Sequence, residues 1–292
     1  MTTIVWASTP SFPAPLLVSG DDARTVAVHG AFDHGVLVGD GAFETLRVVD
    51  GVAFARRRHL ERLTRSATGL GLERPDLALV HDALDAVLDA GRDAAAAGGA
   101  PLGRLRVTLT SGPGPLGSAR GDLGPSLTVI GTPATPWAPT AHVAVAPWPR
   151  NERGPLTGLK TVSYADNVVA LHHARGQGAD EAVFLNTRGE LCEGTGSNVF
   201  VVRDGVVATP PLSSGCLAGI TRALVLEHTD AVERTLSLDD LLDADEAFLT
   251  STTRVVHPIE TVDGVALRGV AGQRTTAAMR AMAALAARTL DP

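Results

Sequence analysis

Leu105, Val107 and Leu109 alternate with Arg106, Thr108 and Thr110, the period-two pattern of a half-buried strand, and Ser126 to Gly131 reads as its neighbour. Upstream, Leu60, Leu63 and Ala67 recur at helical spacing within Arg56 to Leu70, and a second helix is predicted over about Asp76 to Ala97. Val36 to Val49 reads as strand. Residues 1–132 are therefore expected to form a small α+β domain.

Three prolines fall between Thr132 and Thr140, a stretch that continues neither helix nor strand, and residues 133–140 are taken as a linker. Helix and strand then interleave through a larger domain, residues 141–292. The pattern predicts strands at Ala141 to Pro147, Glu181 to Asn186, Val199 to Val202 and Glu246 to Ser251, and helices at Val162 to Gln177 and Ile220 to Thr229. Val262-Asp263-Gly264-Val265 reads as a hairpin turn, and a C-terminal helix starts near Gly272. No internal repeat is evident.

Composition narrows the classes. The chain has 292 residues, 45% apolar and 20% charged, as expected of a globular enzyme rather than a disordered or fibrous chain. Met1 to Phe12 shows no basic segment leading into an apolar one, and no apolar run reaches membrane-spanning length, so a cytoplasmic protein without membrane contact is expected. Cys192 and Cys216 alone supply neither a disulfide framework nor a cysteine-based zinc site, and no metal is expected. A net charge of -7 argues against a nucleic-acid partner and leaves small molecules as ligands.

Lys160 is the only lysine among twenty-five basic residues. Arginine can replace lysine where only charge is needed, but a guanidinium cannot become an amine nucleophile. A surviving surface lysine would explain the count equally well. Tyr164, the only tyrosine, follows four residues later, where a helical first turn would bring its phenol near whatever the amine binds; a core role is the alternative. Glu193 to Asn198 places a carboxylate before two glycines between strands, either a ligand loop or a plain hairpin. Gly219-Ile220-Thr221-Arg222 opens a helix whose free N–H groups suit a phosphate, although most helix N-termini bind only water.

Three other motifs fail. Gly112 to Gly117 matches a dinucleotide-binding spacing but carries two prolines and no following helix. Gly154 to Thr161 has the wrong glycine spacing for a phosphate loop. The adjacent His172 and His173 point about 100° apart on a helix and cannot share a metal.

Five ordered segments, Gly39 to Arg47, His59 to Leu63, Leu159 to Tyr164, Glu193 to Phe200, and Gly219 to Arg222 with Thr250 to Thr253, resemble the class IV aminotransferases. The resemblance implies pyridoxal 5'-phosphate, a small N-terminal α+β domain, a larger C-terminal α/β pseudo-barrel domain, and a homodimer with the cofactor in the interdomain cleft. It implies that Lys160 holds the cofactor as a Schiff base and then shuttles a proton. Glu193 would pair with the pyridine nitrogen. Arg62, the N–H groups of Ile220 and Thr221 beside Gly219, and the Thr252 hydroxyl would hold the phosphate. Tyr164 would contact the ring hydroxyl, with Ser197 and Asn198 also at the cofactor. Phe43, Arg47, Arg106 and Thr253 are candidate substrate contacts.

Within the family, Gly39 to Thr45 is similar to the lyase and D-amino acid branch. Ser111 and Gly112 stand where D-amino acid enzymes commonly carry a carboxylate-binding arginine. Asn151 to Lys160 and Gly114 to Ser118 resemble aminodeoxychorismate lyases, so conversion of 4-amino-4-deoxychorismate to 4-aminobenzoate and pyruvate, a step toward folate, is the first expectation. An amino acid aminotransferase of branched-chain or D-amino acid type is the second, and a non-catalytic cofactor-binding protein the third.

Overall fold

The computed structural model describes residues 2–10 and 14–292; Met1, Ser11 and Phe12 of the leader reading lie outside them. The chain divides into two compact units. One comprises residues 1–135, 159–163 and 290–292, the other residues 136–158 and 164–289. The polypeptide thus returns to the first unit for the five residues around Lys160, which a single linear boundary cannot capture.

The first unit contains β1 (Ile4–Ser8), β2 (Leu16–Ser19), the short helices α1 (Asp22–Thr25) and α2 (His34–Leu37), β3 (Gly41–Val49), β4 (Val52–Ala53), α3 (Arg56–Gly69), α4 (Leu77–Ala96), β5 (Arg104–Thr110) and β6 (Ser126–Thr132). Its six-stranded sheet runs β2-β1-β6-β5-β3-β4, antiparallel throughout. Ala42, Leu46, Leu105, Val107 and Val129 on one face meet Leu60, Leu63 and Ala67 of α3 and Leu84 and Val87 of α4 in a single apolar core. The period-two and helical patterns of the sequence interlock there.

Two expected elements differ. Val36 to Val49 is not one strand: the Asp33 carboxylate accepts from the Gly35 N–H and starts α2, and Gly39, at φ +72, turns the chain into β3. The helix expected from Val162 starts only at Ala165. Residues 160–162 are held as an extended edge on β3, with Phe43 N–H donating to Lys160 O at 3.0 Å and Val162 N–H to Gly41 O at 2.9 Å. Lys160 therefore precedes the helix, and Tyr164 is its N-terminal boundary residue.

The second unit contains β7 (Ala141–Val145), α5 (Ala165–Gly176), β8 (Glu181–Leu185), β9 (Leu191–Gly194), β10 (Asn198–Arg203), β11 (Val206–Thr209), α6 (Ile220–His228), β12 (Val232–Glu233), α7 (Leu238–Leu242), β13 (Glu246–Ser251), β14 (Val255–Val262), β15 (Val265–Ala266) and α8 (Gln273–Arg288). Its nine-stranded sheet runs β12-β11-β10-β13-β14-β7-β8-β9, with β15 on β14. β9 and β10 are five places apart in that order, about 24 Å in a flat sheet at 4.8 Å per strand. Yet only Thr195-Gly196-Ser197 joins them, a link that reaches at most about 14 Å. The sheet must curl back on itself, and Val143, Val183, Leu191, Val199, Leu249 and Ile259 fill the curled side. At the expected hairpin, Val262 pairs with Val265 and both Asp263 and Gly264 have positive φ, the tight turn that matches strand twist.

Candidate active site

In the first unit, Lys160 is half-buried. Its backbone N–H donates to Ser66 Oγ at 3.0 Å, and its Nζ lies 4.3 Å from the centre of the Phe43 ring. The Arg106 guanidinium carbon lies 3.8 Å from the same ring. Cross-strand pairing of Phe43 with Thr108, Thr45 with Arg106 and Arg47 with Arg104 puts these side chains on the sheet face opposite the core. Arg47 rests on Phe54 at 4.3 Å, and burial lowers its pKa. Arg47 and Arg104 are register partners on that face, and Arg104 donates to Thr132 Oγ1 at 3.3 Å.

On the core face, Arg62 grips Glu44. Nε donates to Oε1 at 2.7 Å and Nη2 to Oε2 at 2.8 Å, while His59 Nδ1 donates to Oε2 at 2.7 Å. Burial would push the Glu44 carboxyl up, but the Arg62 and His59 contacts prevail and hold it at about 2. Burial keeps His59 below its ordinary value and so neutral. Neither Glu44 nor His59 was read from the sequence. The signal was present: Glu44 alternates with Ala42 and Leu46 on the core face, and a carboxylate there requires buried cations.

In the second unit, Glu193 Oε2 accepts from the Leu217 N–H at 2.9 Å, and Oε1 faces Arg150 Nε at 3.6 Å. Arg150, also missed, lies over the Phe184 ring at 4.2 Å and donates to Asn167 Oδ1 at 3.1 Å. Nothing in its local sequence marks it, because its partners come from β8, β9 and α5. The Tyr164 hydroxyl donates to Thr195 O at 2.7 Å. Burial, with the nearby Glu193 charge, pushes its pKa to about 12, so the phenol stays protonated and keeps its lone pairs available as acceptors. The Ser197 hydroxyl donates to Glu181, and the Asn198 amide to Leu217 O at 2.9 Å; both brace the β9–β10 turn.

α6 begins without a side-chain cap, which leaves the Ile220 and Thr221 N–H groups open at its positive end. A Cβ on Gly219 would lie 1.9 Å from Asn198 Oδ1, so only glycine lets the strand side chain approach the helix start. Thr250, across the ladder from Asn198 and on the same face, has a buried hydroxyl with no hydrogen-bond partner. Thr252 and Thr253 lie half-buried in the turn after β13. Within the second unit, the open start of α6 and the Glu193 carboxylate have the chemistry to suit the phosphate and ring nitrogen of pyridoxal 5'-phosphate; within the first unit, Lys160 supplies an amine of the kind its aldehyde needs.

Comparison with known proteins decides the family. The Amino-transferase class IV family model matches residues 41–262. The chain belongs to the class IV aminotransferases. A Methanocaldococcus jannaschii protein provisionally named a branched-chain-amino-acid aminotransferase is 35% identical over 244 residues, covering 80% of this chain and 82% of that one. A bifunctional aminodeoxychorismate lyase / D-amino acid transaminase of Mycobacterium tuberculosis is 31% identical over 271 residues, covering 80% and 86%. Among solved structures, a hypothetical aminotransferase from Mycobacterium tuberculosis in its PLP-bound form superposes with a TM-score of 0.80 at 25% identity, covering 96% and 98%. As a class IV aminotransferase, the chain is a pyridoxal-phosphate-dependent enzyme, and its fold is that of the family.

Among the described residues no helix is long and apolar enough to cross a membrane, and no group of three or more His, Cys, Asp or Glu could hold a metal. Both cysteines are buried and free.

Proposed function

We propose that this enzyme transfers amino groups between small amino acids and 2-oxo acids. The observation that carries the reading is the shared Phe43 ring, with the Lys160 ammonium on one contact and the Arg106 guanidinium on another. A fixed cation beside the reactive amine suits a substrate that bears a carboxylate, and Arg47 and Arg104 extend that cationic face. The aminotransferase names of the relatives support the same choice.

Bound pyridoxal phosphate supplies an electron sink for the carbanion that forms at the substrate α-carbon. In this reading Lys160 would hold the cofactor through its amine and would serve as the group that takes up and returns the substrate α-proton. Glu193 would face the pyridine nitrogen, with Arg150 Nε 3.6 Å from its Oε1. The open start of α6 would hold the phosphate, the role the family resemblance also gives Arg62. Arg106 orients the carboxylate so that the α-proton faces the amine.

The second reading, lysis of 4-amino-4-deoxychorismate, keeps the same machinery and is favoured by the bifunctional relative. The test is to supply the holoenzyme with L- and D-amino acids plus 2-oxoglutarate, and separately with 4-amino-4-deoxychorismate. New amino acid formed at the expense of the donor supports the transferase; 4-aminobenzoate with equimolar pyruvate, without amino transfer, replaces it with the lyase.

A further inference from the structure

Beneath the β9–β10 turn lies a carboxylate that the reading above does not use. Glu181 opens β8 and is 1% exposed. Its Oε1 accepts from the N–H of Thr195 at 3.0 Å, from the Thr195 hydroxyl and from the Ala182 N–H at 3.1 Å. Its Oε2 accepts from Ser197 Oγ at 3.1 Å and faces Arg254 Nη2 at 3.2 Å. Arg254, also buried, lies over the Trp137 ring at 4.1 Å.

The turn is gripped from its other side as well. Thr195 O accepts from the Tyr164 hydroxyl at 2.7 Å and from Asn167 Nδ2 at 2.5 Å. The packing leaves no slack, since a Cβ on Gly194 would lie 2.3 Å from Ser197 Oγ. Glu193 precedes this turn and Asn198 follows it. Arg254 comes from the other turn, β13–β14, directly after Thr252 and Thr253. Through its bonds to Thr195 and Ser197 and its ion pair with Arg254, Glu181 therefore links the turn that follows Glu193 to the turn that carries Thr252.

Burying a carboxylate and a guanidinium brings little net stability, because desolvation offsets the attraction, and an apolar pair often serves a core equally well. What a satisfied network does supply is fixed direction: five donors converge on one carboxylate and leave the turn a single arrangement. We propose that Glu181 and Arg254 form a positioning pair that sets the aim of the Glu193 carboxylate and the Thr252 hydroxyl. The inference rests on the reading of those two residues as cofactor contacts.

The test compares holoenzymes of the wild type, Arg254→Met, Arg254→Lys, Ser197→Ala and Glu193→Gln. The readouts are the visible spectrum of the bound cofactor, cofactor affinity, kcat and KM, and melting temperature. Ser197→Ala removes one bond to the carboxylate and leaves the ion pair, so it reports even where Arg254→Met fails to fold. The expected result is that Arg254→Met and Ser197→Ala move the spectrum in the same direction as Glu193→Gln. Arg254→Met should weaken cofactor binding about tenfold and lower kcat more than it raises KM, and Arg254→Lys should restore much of both. Lower melting temperature with wild-type spectrum and cofactor affinity in both variants overturns the proposal. If Glu193→Gln moves the spectrum and the pair's variants do not, only the positioning role fails. If Glu193→Gln itself leaves the spectrum unchanged, the Glu193 reading fails and the proposal falls with it.

Discussion

Arg62 holds Glu44 through two parallel hydrogen bonds of 2.7 and 2.8 Å in the core of the first unit. A bidentate pair of this kind fixes the plane of the guanidinium as well as its place, so the arginine that family resemblance assigns to the phosphate is oriented from within the protein.

Replacing Glu44 with Gln should strand a buried guanidinium and destabilise the protein by about 3–5 kcal/mol in denaturant titration. Acid behaviour should change too. The Glu44 pKa is depressed from 4.5 to about 2, so its contribution is complete above pH 4.5 and is lost as pH falls toward 2. His59 is also depressed below 6.5; the unfolded chain takes up that proton first, which adds a loss of stability as pH falls through 6.5. Stability measured from pH 8 downward should fall in both windows for the wild type, and Glu44→Gln should flatten the lower one.

Tyr164 is the only tyrosine, so a near-ultraviolet titration reads it alone. It should ionise near pH 12 in the native protein and near pH 10 in denaturant. Because its pKa is raised on folding, its contribution is present below pH 10 and disappears as pH rises toward 12. A native transition near pH 10 would show that the phenol is not buried beside Glu193.

Gly219 has φ -64, which alanine adopts readily, so Gly219→Ala tests contact rather than backbone strain. The added methyl meets Asn198 Oδ1, and the start of α6 must shift. Cofactor affinity should fall about tenfold or more, and Gly219→Ala with Asn198→Ala should recover part of it. No recovery in the double variant would remove Asn198 as the cause.

Arg106→Met should raise KM for carboxylate-bearing substrates by about 10- to 100-fold, the loss of one charge-assisted contact, while cofactor affinity holds. Steady-state kinetics and a cofactor titration separate the two, and unchanged KM would take the carboxylate role from Arg106.

The readability of the sequence followed the range of the forces involved. β5, the β14–β15 hairpin and α3 were legible because their periodicity and turn residues are local. Lys160 stood out as a candidate because it is the one lysine among arginines, and its Nζ lies beside the Phe43 ring. The start of α5 was misplaced because pairing of residues 160–162 with β3, more than a hundred residues away, overrides local helix preference. Glu44, Arg150, Glu181 and Arg254 escaped for a related reason: each acquires meaning only from a partner on a distant element. The curl of the second sheet was equally hidden, since it follows from strand order rather than from any one strand.

The most direct test of the central claim reduces the holoenzyme with borohydride and maps the cofactor's added mass by peptide mass spectrometry. The prediction is one stoichiometric adduct on Lys160, with Lys160→Ala losing the adduct, the visible cofactor band and turnover together. A Lys160→Ala protein that keeps its band and its turnover would contradict the assignment.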